Sequence, residues 1–192
     1  VKIDHQPLFP TPLYEITGLE IDNEKLEKDI YELKEKDTGK EYSNRGGWHS
    51  NPQNNNEIQE IFKPIIDSFG KIFPEMIFDP KVSSINSLSI WANINPKGSY
   101  NLRHNHPGCD ISGVYYVKVP EGDSGNINFV DPRQALSYGN GFFVERYAGG
   151  ETVPRYPVEG NMYLFPSSLE HNVGTNLTEE DRVSISFNLN LR

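Results

Sequence analysis

Residues 83–95 read SSINSLSIWANIN, and the alternation in this stretch decides the kind of fold. Ile85, Leu88, Ile90 and Ala92 are set against Ser and Asn, the pattern of a strand with one buried and one wet face. The terminal RVSISFNLNLR, residues 182–192, alternates in the same way. Between the two lie SGVYYVKVP, GNINFVDP, FFVERYA, ETVPRYPVEG and NMYLFPSS. Turn signals separate them, among them Glu121-Gly122-Asp123, Tyr138-Gly139-Asn140-Gly141 and Glu159-Gly160-Asn161. Seven or eight short strands at this spacing predict a mainly β fold: a sandwich, jelly roll or barrel.

Upstream of Pro80 the pattern is different. HQPLFPTPLYEITG reads as an extended segment interrupted by Pro7, Pro10 and Pro12. In IDNEKLEKDIYELKEKD, Leu26, Ile30 and Leu33 form one helical stripe and Asp22 is placed to cap it. Residues 37–56 are loop-like in their Gly, Asn and Pro content. A second helix is expected from Glu57 to Phe73, with Ile58, Ile61, Ile65 and Phe69 on one side and Pro64 kinking or splitting it. The expectation is one domain over residues 1–192: a helical N-terminal part, 1–80, packed on one side of a β core, 81–192.

Composition narrows the partners. Lys and Arg number 18 against 27 Asp and Glu, giving a net charge of −9 with no basic cluster, which argues against a nucleic-acid backbone as ligand. A single cysteine, Cys109, excludes an internal disulfide framework and fits a reducing, cytoplasmic setting. No apolar stretch of membrane-spanning length and no signal-peptide pattern is present. An edge strand open to pairing would allow a homodimer.

The chemistry-bearing residues sit around the strands. His104 and His106, in YNLRHNHPGCD, stand one residue apart on an extended segment, so their rings share a face. Alone, the pair suits either a metal or a polar strand edge. His171 follows the strand MYLFPSS, and Arg182 and Ser184 fall on one face of the last strand. In a double-sheet fold these histidines can meet at the mouth of the sandwich and hold a metal with open positions. Arg182 and Ser184 would offer a guanidinium fork and a hydroxyl to a carboxylate. Parity puts Val114 and Tyr116 on one face of VYYV and Tyr115 on the other.

The order His-x-His, His, Arg-x-Ser on short strands resembles the non-haem iron, 2-oxoglutarate-dependent dioxygenases. The nearer likeness is to a marine bacterial and phage subgroup of that family. It is carried by LFPTPLY, GGWHS, HNHPGCDISGVYYVKVP, SGNINFVDPR and VEGNMYLFPSSLEHNVGTN with DRVSISFN. The resemblance implies a double-stranded β-helix, cupin-like in form, binding Fe(II) and 2-oxoglutarate, with ascorbate a compatible reductant. It implies hydroxylation of a small-molecule or peptide substrate by O2, with release of succinate and CO2. His104, His106 and His171 would be the iron ligands. Arg182, Ser184 and Tyr116 would take the far carboxylate of 2-oxoglutarate, with Asn93 facing the same co-substrate. His106 stands where the commoner pattern has a carboxylate, and Asp110, four residues on, is the alternative ligand or an acceptor for an imidazole N–H.

Other readings remain open: a cupin-like three-histidine metalloenzyme without 2-oxoglutarate, or a non-enzymatic jelly-roll module binding a sugar or protein. His49 in GGWHS either lines the substrate entrance or sits in a polar loop. Tyr100, Asn101, Arg103 and Arg133 are near the mouth by sequence, Cys109 is a small loop thiol beside it, and residues 134–156 read as a rim or a long hairpin.

Overall fold

The computed structural model describes residues 2, 10–55, 58–76, 82, 84–132 and 152–192. Arg133, the FFVERYA strand and most of the expected rim lie outside the described residues, as does most of the stretch before Pro10.

Among the described residues two α-helices and twelve strands follow one another: β1 (Tyr14–Ile16), α1 (Asn23–Lys34), β2 (Asn44–Arg45), β3 (Trp48–His49), β4 (Gln53–Asn54), α2 (Lys63–Ile72), β5 (Ile85–Asn95), β6 (Tyr100–His104), β7 (Ile111–Lys118), β8 (Ile127–Val130), β9 (Thr152–Arg155), β10 (Met162–Pro166), β11 (His171–Val173) and β12 (Arg182–Leu191). They pair into two antiparallel sheets. The larger runs β1-β10-β7-β12-β5-β3, with β4 beside β3 on the same edge of β5; the smaller runs β2-β6-β11-β8-β9. This is the jelly-roll, double-stranded β-helix architecture.

Helix α1 begins where Asp22 accepts the Lys25 N–H at 3.0 Å, and it buries Leu26, Ile30 and Leu33 as the stripe predicts. The second helix differs from the sequence expectation. Residues 60–62 form a 3-10 turn and the α-helix starts at Lys63, with Pro64 in its first turn. Proline has no N–H to lose there and its fixed φ suits the first turn, so it opens the helix instead of kinking it. The buried stripe is accordingly Phe62, Ile65, Phe69 and Ile72, with Ile58 and Ile61 only partly covered.

Both helices pack on the outer face of the larger sheet, against Leu88, Ile90, Ala92, Ile94, Tyr115, Val117, Val183, Ile185, Phe187 and Leu189. Each such aliphatic or aromatic side chain stabilises the fold by about 1.5–3 kcal/mol when fully buried. At Gly113 on β7, an added Cβ would lie 2.6 Å from Leu164 Cδ2 and strike the Phe187 ring, so the core closes over a missing side chain. Ile85, expected on the buried face, is 36% exposed. A register shift between Asn190 and Leu191 precedes it, and Ile85 is the first residue of β5, at the open end of the sheet. The two-residue strands β2, β3 and β4 fall where the sequence reads as loop. They are too short to show alternation, and their partners in β5 and β6 define them.

Candidate metal centre

The inner face of the larger sheet forms one wall of a cavity of about 390 Å³, and the smaller sheet closes over it. That wall is laid out in rungs set by register. Arg182 lies opposite Asn95, Ser184 between Asn93 and Tyr116, Ser186 between Trp91 and Val114, and Asn188 between Ser89 and Ser112. All of these line the cavity. Their neighbours in sequence point outward into the helix-covered core, so Tyr115 is buried there while Val114 and Tyr116 face inward.

The histidines come from the smaller sheet. His104 closes β6, His171 opens β11, and the two are directly paired across those strands. A bulge between His171 and Val173 shifts the register, so that Val173 meets Asn101 and both His104 and Asn101 line the cavity. His106 follows two residues after His104, its N–H bonded to the Ser167 carbonyl at 2.9 Å. One ligand atom from each of His104, His106 and His171 lies within 4.8 Å of the others, a group that could hold a metal ion.

Hydrogen bonds to backbone carbonyls fix which nitrogen faces inward for two of the three rings. Nδ1 of His104 is 2.7 Å from the Leu102 carbonyl and Nδ1 of His171 is 2.9 Å from the Leu169 carbonyl. A carbonyl only accepts, so each Nδ1 carries the proton and each Nε2 presents a lone pair. Nδ1 of His106 lies 3.4 Å from the side-chain amide of Asn188, whose Oδ1 accepts from Ser112 Oγ at 2.7 Å. Burial pushes the His171 pKa down to about 3, with the charge on His104 adding to it, and that of His106 to about 4, with His104 and His49 contributing. His104 is lowered by burial as well. Three neutral imidazoles converge, the state in which histidine binds a metal.

At the closed end, Arg182 is 2% exposed and its Nη1 donates to the Ser124 and Gly125 carbonyls at 2.6 and 2.7 Å. Gly125 has φ +86°, and a Cβ there would lie 2.7 Å from the Gly174 carbonyl carbon and 3.1 Å from Nη1, so the approach requires glycine. Nε of Arg182 has no partner, and no carboxylate pairs with the guanidinium among the described residues. Tyr116 is also buried beside it, its hydroxyl pKa pushed up to about 12 by desolvation against the opposing pull of Arg182. Asn93 donates to Ser186 Oγ at 3.0 Å.

Other expected residues fall elsewhere. Asp110 is not in the histidine group; its carboxylate accepts the Leu191 N–H at 2.8 Å. Arg103 pairs with Glu170 on the surface, both about half exposed. Tyr100 is 38% exposed, and Cys109 is half-buried, its carbonyl accepting from Ser167 Oγ. Asn101 donates to Ser43 Oγ at 3.2 Å. Among the lining residues not singled out from the sequence are Asn188, Ser186 and Trp91. Asn188 and Ser186 continue the Arg182-x-Ser184 alternation and were legible from it. Trp91 is the one aromatic among the Ser and Asn of its strand face, and its ring sits 6.0 Å from that of His106.

The architecture and site together define a double-stranded β-helix protein with a metal-capable histidine cluster and a buried, incompletely paired guanidinium. The profile described as "Putative 2OG-Fe(II) oxygenase" matches residues 89–188, and the chain belongs to that enzyme family. Among curated proteins, none matches in sequence. Solved structures show the same fold at low identity. A Pseudomonas putida prolyl-4-hydroxylase aligns at TM-score 0.63 and 12% identity, over 95% of this chain and 94% of that one. A Trichoplax adhaerens prolyl hydroxylase, in complex with a hypoxia inducible factor peptide fragment, aligns at 0.64 and 11%, over 92% and 82%. HygX from Streptomyces hygroscopicus, with nickel and 2-oxoglutarate bound, aligns at 0.62 and 14%, over 94% and 83%. No helix of the described residues is long and apolar enough to cross a membrane.

Proposed function

We propose that this chain is an Fe(II)- and 2-oxoglutarate-dependent dioxygenase that hydroxylates a small-molecule or peptide substrate. The single observation that carries this reading is a buried guanidinium with an unpartnered Nε at the closed end of the cavity that His104, His106 and His171 line. Burying an ion without a counter-charge is costly, and an incoming carboxylate removes that cost. A three-histidine metalloenzyme without 2-oxoglutarate leaves Arg182 without a role.

In this reading the three histidines hold iron, and Arg182, with the hydroxyls of Tyr116 and Ser184, takes the far carboxylate of 2-oxoglutarate. When bound, iron and 2-oxoglutarate supply dioxygen chemistry that oxygenates a C–H bond and yields succinate and CO2. The chain's own residues bind and orient. The carbonyl-bonded His104 and His171 rings keep their Nε2 atoms inward without waiting for metal. Arg182 is held by two carbonyls, so its remaining donors are pre-aimed. Val114, Ile127 and Phe165 give the same space an apolar side.

With three neutral ligands, the ion keeps its full double charge, which favours a dianionic chelator; a carboxylate at position 106 would reduce that charge. The test is anaerobic titration of Fe(II)-loaded protein with 2-oxoglutarate, followed by visible absorption. A 2-oxoglutarate-dependent band supports the reading, and its absence sinks it.

A further inference from the structure

A fourth histidine lines the cavity outside the metal-capable group. His49, on β3, is 6% exposed and lies face to face with Trp91, ring centroids 5.2 Å apart and planes 12° off parallel. Tyr42 is tilted against it, also at 5.2 Å. Its Nδ1 donates to the Ser50 carbonyl at 2.6 Å, so Nε2 bears the lone pair. No protein group among the described residues bonds that Nε2. Among the described residues the sealed, unpaired polar atoms are Ser99 Oγ and Arg182 Nε, so His49 Nε2 is not sealed, and its ring stands between two other lining residues of the cavity, Tyr42 and Trp91.

Its place along the cavity separates it from the co-substrate anchor. Tyr42 is 55% exposed and marks the mouth, whereas Arg182 is 2% exposed and marks the closed end. From the mouth inward the ring contacts run Tyr42, His49, Trp91, His106. Among the described residues the lining includes no Asp, Glu or Lys, and Arg182 is the one permanent charge. A charged group entering beside His49 would lose its water with no counter-charge to meet it. A cavity of about 390 Å³, shared with the co-substrate, admits a group of side-chain size.

We infer that His49 is the specificity-determining acceptor of the substrate: its Nε2 receives an N–H or O–H from an uncharged, side-chain-sized group such as a carboxamide, laid beside Trp91. This rests on the dioxygenase reading for the position of the metal and co-substrate. The aromatic stack holds the imidazole in place, so little side-chain freedom is lost on binding.

The test uses protein loaded with Zn(II), as a diamagnetic stand-in, and 2-oxoglutarate. Three probes of nearly equal shape are titrated: butyramide, butyrate and 2-pentanone, which are respectively a neutral donor, an anion and a neutral molecule without a donor. The His49 Nε2 nitrogen resonance is followed by NMR. Butyramide is expected to shift it upfield, with the other two leaving it in place. His49→Phe should weaken butyramide by roughly three- to ten-fold, the worth of one neutral hydrogen bond, while 2-pentanone affinity holds. His49→Gln, which keeps an acceptor, should recover part of the loss. The inference is overturned if butyramide does not bind, if butyrate or 2-pentanone shifts the resonance equally, or if His49→Phe retains full butyramide affinity. Failure of the dioxygenase reading shows separately, as a missing Fe(II)–2-oxoglutarate band in the wild-type chain.

Discussion

Strands β5 and β12 carry two sets of side chains on one backbone. On the outer face, Ile90, Ala92, Ile94, Val183, Ile185, Phe187 and Leu189 are all fully buried under the helices. On the inner face of the same strands stand Ser89, Trp91, Asn93, Asn95, Arg182, Ser184, Ser186 and Asn188. The outer set acts through volume and apolar area, where neighbours of similar size can substitute. The inner set acts through particular donors and acceptors, where a one-atom change leaves a partner unmatched. On the proposed function, stability and ligand binding are thus loaded onto opposite sides of one sheet and should respond to mutation separately.

The largest test of that separation is Phe187→Ala. It removes a buried ring packed edge-on to Phe69 at 5.0 Å, with an expected cost of about 3–5 kcal/mol in chemical denaturation. The affinity of the remaining folded protein for 2-oxoglutarate should hold; an equal loss in both would break the comparison. Next is Arg182→Gln, expected to weaken 2-oxoglutarate by about 2–5 kcal/mol in calorimetric titration, with a smaller change in thermal stability.

Acid stability of the metal-free protein comes third. The native pKa values of His106 and His171, about 4 and about 3, lie below the ordinary value of 6.5. The unfolded chain therefore binds more protons than the native one as pH falls below 6.5. The stabilisation is fully present above that pH and drains away down to about pH 3. The unfolding free energy from urea titrations should fall by up to about 1.4 kcal/mol per pH unit for each histidine. A flat profile between pH 7 and 4 would show these rings to be solvated. The smallest expected effect is Ser186→Ala, which removes the acceptor for Asn93 at about 1 kcal/mol. Its mark should be on 2-oxoglutarate affinity more than on melting temperature.

How far the sequence revealed this depends on the length of each pattern. The eleven residues of β5 and ten of β12 show their alternation openly, so both faces, including Arg182 and Ser184, could be assigned from it. The His104, His106 and His171 cluster was foreseeable as a combination, although no single histidine identified it. His49 was not decidable, because β3 is two residues long and has no period of its own; Trp48 and His49 are placed by pairing with Ile94 and Asn93. Asp110, by sequence the alternative to His106, has its carboxylate on the Leu191 amide, a partner far along the chain that the local sequence does not reveal. The start of α2 was misplaced because the apolar residues from Ile58 onward continue the helical pattern upstream of Pro64, where the chain instead makes a 3-10 turn.

The carbonyls that orient His104 and His171 belong in both cases to the leucine two residues earlier, Leu102 and Leu169. An orienting group made of main chain survives every substitution at its own position. Replacing the exposed Leu102 leaves the carbonyl in place, so side-chain scanning would score that position as silent. Only editing the backbone itself, for example an ester in place of an amide, could weaken the acceptor. The orientation of two of the three central rings is therefore shielded from genetic drift in a way that a glutamate or asparagine support would not be.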